Sequence, residues 1–300
     1  MRHSVALQAF AKINLGLKIL GKRADGYHEI RTLYQTIELH DCLEAELFPR
    51  RAGIDVECSD PGIPSGRGNL VYRACELWKR TRSFKGRIEV RLEKRIPAGS
   101  GLGGASSDAA ATLVGLERLS GDRLDLATRL RLAAQLGSDV PLFFWGGLVL
   151  GCGRGEEVYP LNDLPRCPCL VVFPGFSVST AEAYREADRR LTKRTEGRNI
   201  NAFGVWSRVP LQTWGPAEND FERVVFAKWP ELGKLKRQLI QAGAETALLT
   251  GSGSAVYATF DSAAKLIRAS KSIPATWRLF RTRTLTRGEY RRRLVRSVDG

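Results

Sequence analysis

The residues most able to do chemistry lie in Pro97-Ala98-Gly99-Ser100-Gly101-Leu102-Gly103-Gly104-Ala105-Ser106-Ser107. Four glycines let a backbone approach a ligand closely and turn several N–H groups inward. An Ala/Leu-rich helix, expected from Ser106 or Ser107 to about Leu119, aims its free N–H groups and dipole at the same point. Loop and helix together predict a phosphate site. Ser106 and Ser107 can cap the helix, bond a phosphate or hold a metal ion. A Walker loop is excluded, because Gly104 is followed by Ala105 rather than Lys. The dinucleotide pattern Gly99-x-Gly101-x-x-Gly104 is present, but Pro97 interrupts the strand-to-loop junction and Glu117 still lies on the helix.

Other candidates are spread along the chain. Asp139 follows a helix ending at Gly137 and precedes Val140-Pro141. A carboxylate there can accept a hydroxyl proton. Lys12 and Asn14 share one face of a strand, about 6.6 Å apart. Tyr27 and His28 follow an Asp25-Gly26 turn and can stack on a base. Thr250-Gly251-Ser252-Gly253-Ser254 is either a hairpin turn or a second glycine loop closing over an anion.

The elements that must position these residues follow from periodicity. Residues 4–20 alternate apolar and polar, as does the stretch after the turn through Leu39. Helical spacing runs over 69–81 and 124–136, and alternation returns over 87–94. Beyond the loop at 162–168 come strands near 169–173, 245–250 and 254–260, with helices near 179–191, 219–229 and 232–242. The mixed order predicts an α+β fold of two domains, each a helix-on-sheet sandwich, divided near residue 158 into 1–158 and 159–300.

Composition narrows the class. The 300 residues are 43% hydrophobic and 26% charged, ordinary for a globular chain. Six cysteines contain no CxxC pair, so neither a disulfide framework nor a zinc cluster is expected, and a cytoplasmic setting fits. The longest apolar stretch, Val140 to Gly153, is 14 residues and too short to span a bilayer. No membrane partner is expected. The formal charge is +15, of which the arginine-rich end from Thr276 supplies +6. That balance suggests an anionic substrate or polyanion. No aromatic-basic RNA motif or helix-turn-helix pattern accompanies it, so nucleic acid is not the expected partner. The tail, about 284–300, reads as a solvated or mobile end that folding does not need.

The motifs together resemble the GHMP kinase superfamily. Its three motif regions stand in order at Ala11–Leu15, Pro97–Ser107 and Thr250–Ser254. Arg23-Ala-Asp-Gly-Tyr-His28, Gly137–Pro141 and Asn219-Asp-Phe-Glu222 resemble the branch whose acceptor is a cytidine diphosphate methylerythritol, in the non-mevalonate isoprenoid pathway. The resemblance implies an active site in the interdomain cleft, with ATP as donor and Mg2+ as metal. It implies that Pro97–Ser107 holds the ATP phosphates, that Ser107 reaches the metal, and that Asn69 and Lys94 lie near the adenine. Lys12 and Asp139 would be catalytic. Asn14, Tyr27 and His28 would bind the substrate, the last two at its cytosine. Gly251, Ser252 and Gly253 would form the second glycine loop. Mevalonate-type and homoserine-type acceptors are the alternatives; they lack a base for Tyr27 and His28.

Overall fold

The computed structural model describes residues 4–191 and 217–296. Residues 192–216 and 297–300, both inside the expected second unit, lie outside the described residues. Two long strands organise the rest. β1 (Ser4–Lys22) and β2 (His28–Phe48) pair antiparallel through the Arg23–Tyr27 turn. Register shifts at Phe10/Lys12, Asn14/Gly16 and Ile19/Gly21 break the strict alternation expected of β1. Each bulge re-aims the following side chains. Val5, Leu7, Ala9 and Phe10 therefore enter one core, Ala11 and Ile13 a second, and Leu17 and Ile19 a third. The polar face is covered as well: Gln8, Lys12 and Asn14 are all buried.

β3 (Gly53–Cys58), absent from the periodicity reading, runs parallel to β4 (Arg87–Glu93). It carries only Val56 fully inside, so its alternation is faint. β5 (Leu148–Cys152) and β6 (Glu157–Pro160) extend from β2, making a seven-stranded mixed sheet. Helices α1 (Leu70–Thr81), α2 (Gly104–Ser120) and α3 (Leu126–Leu136) accompany it, and Leu113, Leu116 and Trp78 belong to its core. The second sheet is antiparallel, in the order β10 (Arg278–Arg283), β7 (Pro168–Phe173), β9 (Val256–Thr259), β8 (Thr246–Leu249). β7 is an unbroken apolar run because both faces are buried. Leu170 and Val172 join the core that includes residues of α4 (Thr180–Leu191), α5 (Glu222–Lys228), α6 (Pro230–Gln241) and α7 (Ala263–Ser270). Cys169, Val171 and Phe173 join Ala11, Ile13 and Leu102 between the sheets.

The glycine loop is fixed from beneath by a buried ion cluster. Lys94, at the end of β4, bonds Asp41 of β2 and Asp108 of α2, the latter at 2.7 Å. One Asp41 oxygen also accepts from the backbone N–H groups of Arg95 and Ile96, the residues that lead into Pro97. Burial alone would lower the Lys94 pKa, but the Asp108 and Asp41 carboxylates outweigh it and hold the ammonium above its ordinary value.

The C-terminal segment corrects the expectation of a mobile tail. Leu285 N–H bonds the Thr36 carbonyl, and α8 (Arg287–Leu294) returns to the first sheet, where β11 (Val295–Arg296) pairs with β1. α8 opens on a capping box between Thr286 and Glu289. Tyr290 and Leu294 are buried in the first core. Arg283 and Arg293 pair with Glu38, and Arg283 with Glu289. The arginine run hid an amphipathic turn whose apolar members stand only four residues apart. Sequence order and packing therefore disagree about the expected 159–300 unit: its last helix packs with the first sheet, while the β1–β2 tip (Leu17, Ile19, Ile30) packs with the second.

Two outcomes follow from this packing. Ending the chain after Leu285 removes Tyr290 and Leu294 and should cost about 3–6 kcal/mol, read as a lower urea midpoint; an unchanged midpoint would restore the dispensable tail. Lys94→Met leaves two carboxylates buried without their cation and should cost about 3–5 kcal/mol in the same measurement. A loss under about 1 kcal/mol would free Lys94 for a ligand role.

Candidate active site

The first glycine loop owes its shape to two close approaches. Gly101 has φ +81°, and a Cβ there would lie 2.1 Å from the Thr250 carbonyl oxygen. Gly103 has φ +72°, and a Cβ would sit 3.0 Å from the Lys12 side chain and 3.1 Å from Phe143. Only glycine fits both positions. The Leu102 carbonyl accepts from Lys12 N–H, and the Ser100 carbonyl from Ala255 N–H. The loop is thus stitched to β1 on one side and to the second glycine loop on the other. α2 starts at Gly104, two or three residues earlier than expected, with Gly103 rather than a serine at its cap. The extra half turn brings the first free N–H groups to the loop itself.

The N-terminus of α2 faces a cavity of about 610 Å3 lined by both halves of the chain. Lys12, Asn14, Tyr27, His28, Gly101, Gly103, Ser106, Asp139, Gly251 and Ser252 all line it, so ten of the expected site residues meet at one cavity. Lys12 is only 3% exposed. Its Nζ lies 2.8 Å from Asn14 Oδ1 and 3.4 Å from Asp139 Oδ2. Asp139, whose side chain is 31% exposed, also accepts from the Tyr34 hydroxyl at 3.0 Å. Burial, reinforced by the Asp139 charge, holds the Tyr34 pKa far above its ordinary value, so Tyr34 remains a donor. Asp139 keeps accepting capacity towards the cavity.

Asn14 has less freedom than its expected substrate role supposes. Its Oδ1 accepts from Lys12 and from Thr250 Oγ1 at 3.2 Å, and its Nδ2 donates to Thr32 Oγ1 at 2.7 Å. It orients Lys12 and ties it to the second loop. Gly251 and Ser252 reach the cavity, while Gly253 N–H closes the turn onto the Thr250 carbonyl. Asn219 holds this loop by donating to the Leu249 and Gly251 carbonyls, both at 2.8 Å.

Tyr27 and His28 differ in setting. The turn before them is closed by Arg23 and Gly26, with Asp25 accepting from Tyr27 N–H at 3.1 Å. Tyr27 is 55% exposed, with the Arg154 guanidinium 4.7 Å above its ring. His28 is buried, bonds Asp188, and stacks on Tyr184 with ring centroids 4.4 Å apart. Tyr184 meets Phe221 edge-on.

Three expected nucleotide residues do not line this cavity. Asn69 caps α1 by accepting from Val71 N–H, leaving its buried Nδ2 without a partner. Lys94 is engaged by Asp41 and Asp108, as described above. The Ser107 hydroxyl is buried without a partner, and it is Ser106 that lines the cavity. The Pro97–Ser100 stretch supports the loop rather than facing the cavity; Ser100 Oγ bonds back to the Pro97 carbonyl.

Several site residues escaped the sequence reading. Thr180, Tyr184 and Asp188 stand at spacing four on α4, one helix face turned to the cavity. Thr180 also bonds Ser252 at 2.8 Å. The spacing was visible, but nothing in sequence tied that face to the cleft. Tyr34 required the β1–β2 register, which sets it opposite Asn14.

Comparison with known proteins agrees with this geometry. The family model for the GHMP kinases N terminal domain matches residues 69–147, and that for GHMP kinases C terminal matches 211–279. A 4-diphosphocytidyl-2-C-methyl-D-erythritol kinase of Solibacter usitatus is 46% identical over 269 residues, covering 88% of this chain and 83% of that protein. One of Thermodesulfovibrio yellowstonii is 40% identical, covering 90% and 94%. A crystal structure of 4-(cytidine 5'-diphospho)-2C-methyl-D-erythritol kinase superposes with TM-score 0.75 at 34% identity, over 93% of this chain and 98% of that one. A homoserine kinase of Cytophaga hutchinsonii shares the fold at TM-score 0.72 and 17% identity. With the Lys12–Asp139 pair set against a glycine loop at the head of a helix, and with this depth of similarity, the chain belongs to the 4-diphosphocytidyl-2-C-methyl-D-erythritol kinase family of the GHMP kinases.

Proposed function

We propose that the chain transfers the γ-phosphoryl group of ATP to the 2-hydroxyl of 4-(cytidine 5'-diphospho)-2-C-methyl-D-erythritol. The observation that carries this reading is one cavity holding three parts: a helix-headed glycine loop, a buried Lys12 paired with a half-exposed Asp139, and an aromatic cluster at Tyr27, His28 and Tyr184. The first suits a polyphosphate, the second an attacking hydroxyl, the third a base. We place the reaction in the cytoplasm; among the described residues no helix is long and apolar enough to cross a membrane. A division of the chain near residue 158, with α8 counted beside the first sheet, is part of the same proposal.

In this reading the free N–H groups at the start of α2 and the Gly101–Gly103 backbone bind the phosphates. Asp139 takes up the proton of the attacking hydroxyl. The Tyr34 hydrogen bond fixes the carboxylate's orientation. Lys12 donates one N–H to Asn14 and stands 3.4 Å from the Asp139 carboxylate, which leaves donor capacity for the oxygen that gains charge. Phosphoryl transfer asks mainly for such positioning and charge stabilisation. Tyr27 stacks on the cytosine and His28, held by Asp188, bonds its edge.

A magnesium ion suits this donor set if it arrives with the nucleotide. Among the described residues no three His, Cys, Asp or Glu side chains converge as a cluster, so the phosphates must supply most ligands. Ser106 and Asp139, which both line the cavity, would be the side chains to share it. Bound there, the ion would offset charge on the phosphoryl oxygens.

Two substitutions separate the chemical from the binding role. Asp139→Asn should lower kcat by about 10²–10³-fold with ATP affinity unchanged. Turnover within threefold of wild type would remove Asp139 from the chemistry. Tyr27→Ala should raise KM for the cytidine diphosphate alcohol by about 5- to 100-fold and leave KM for ATP alone. A coupled assay offering mevalonate and homoserine beside that alcohol tests the acceptor; turnover of either one in preference would displace the reading.

A further inference from the structure

The catalytic pair hangs on two short pieces of backbone: β1 around Lys12, and the turn from Gly137 to Gly146 that carries Asp139. One residue far down the chain touches both. The Tyr290 hydroxyl donates to the carbonyl of Phe143, inside the 3-10 turn Pro141–Phe144 that follows Asp139. Its ring lies against Phe10, two residues before Lys12, with centroids 5.4 Å apart. It also packs so closely on Gly146 that a Cβ there would fall 2.2 Å from the ring, and Gly146 has φ +63°. Tyr290 is 1% exposed.

Phe143 passes the contact on. Its ring tip lies 3.1 Å from where a Cβ of Gly103 would be, so it forms the floor of the phosphate loop beside Lys12. Its N–H bonds the Val140 carbonyl, and Val140 N–H bonds that of Gly137, so the turn is a single hydrogen-bonded piece with Asp139 inside. α8, which carries Tyr290, is itself anchored: Arg287 donates to the Leu148 and Leu161 carbonyls and its N–H to Asp163.

We infer that Tyr290 is a positioning residue for phosphoryl transfer, holding the Asp139 turn and the Lys12 strand in register through the Phe143 carbonyl and the Phe10 ring. The catalytic half of this inference rests on the kinase reading above. Positioning matters because a displacement of about 1 Å can cost as much as 10²-fold in rate. The Phe143 carbonyl is buried with Tyr290, so removing the hydroxyl leaves it short of a donor and loosens the turn.

Tyr290→Phe keeps the ring and removes only the hydroxyl. Two measurements on the full chain test it. Amide hydrogen exchange, followed without substrate, should speed up about tenfold over residues 138–146 and stay unchanged over residues 104–120 of α2. Steady-state turnover, at a temperature where circular dichroism shows both proteins fully folded, should give kcat lowered about five- to twentyfold, with KM for ATP and for the alcohol within twofold. Unchanged exchange over 138–146 overturns the inference. So does a kcat within twofold of wild type, or a loss of activity that only follows the loss of folded protein. If wild type fails to phosphorylate the cytidine diphosphate alcohol, the kinase reading has failed, while the exchange measurement still decides whether Tyr290 holds this turn.

Discussion

A lysine ammonium almost wholly out of water governs the design of this molecule. Lys12 sits mid-strand between two sheets, where an isolated cation would be costly. Asn14 and Asp139 supply its partners and the Tyr34 ring lies 5.3 Å from it. Each partner then imposes a demand on the fold. Asn14 must be fixed by Thr32 and Thr250, so the second glycine loop has to come within reach. Asp139 must arrive on a rigid turn. Gly103 must lack a side chain, because the lysine stem fills that space. The bulge between Phe10 and Lys12 turns the ammonium into the cleft while its neighbours remain core residues.

Around that cation the labour divides by chemical type. Backbone N–H groups face the side proposed for the phosphates, where a helix terminus supplies partial positive charge without a titratable group. Side-chain carboxylate and ammonium meet where the proposed reaction would take place. Aromatic rings gather at the far end, where Tyr27 and His28 at the start of β2 meet Tyr184 of α4. The buried Asp41–Lys94–Asp108 cluster stays out of this partition and serves the entry to the loop instead.

The sequence made the glycine loop legible because few other arrangements need glycines at Gly101 and Gly103 before a helix. Lys12 and Asn14 were legible as a polar pair in an apolar strand, but not as buried ones: alternation says which residues share a face, not whether a second sheet covers it. Tyr34 and Tyr184 needed register and tertiary placement, which local pattern does not contain. Lys94 had its expected place near the adenine from the resemblance alone, and local pattern could not show that Asp41, 53 residues earlier, is brought beside it. The tail was misjudged for a related reason. Five arginines in ten residues read as a solvated run, yet two buried side chains and a capping box suffice to dock a helix when a sheet edge waits for it.

The 19-residue β1 and 21-residue β2 serve both cores, one end walled by Val5 and Leu43, the other by Leu17, Ile19 and Ile30. A continuous hairpin shared in this way behaves as a common spine. Among the described residues these two strands run unbroken from one half into the other, so rigid-body clamping of one lobe on the other is mechanically disfavoured. Nor would the chain survive being cut near residue 158 into separately produced pieces. The later piece would lack the strands that close its own interior, and would expose a greasy trough until the earlier piece was added back.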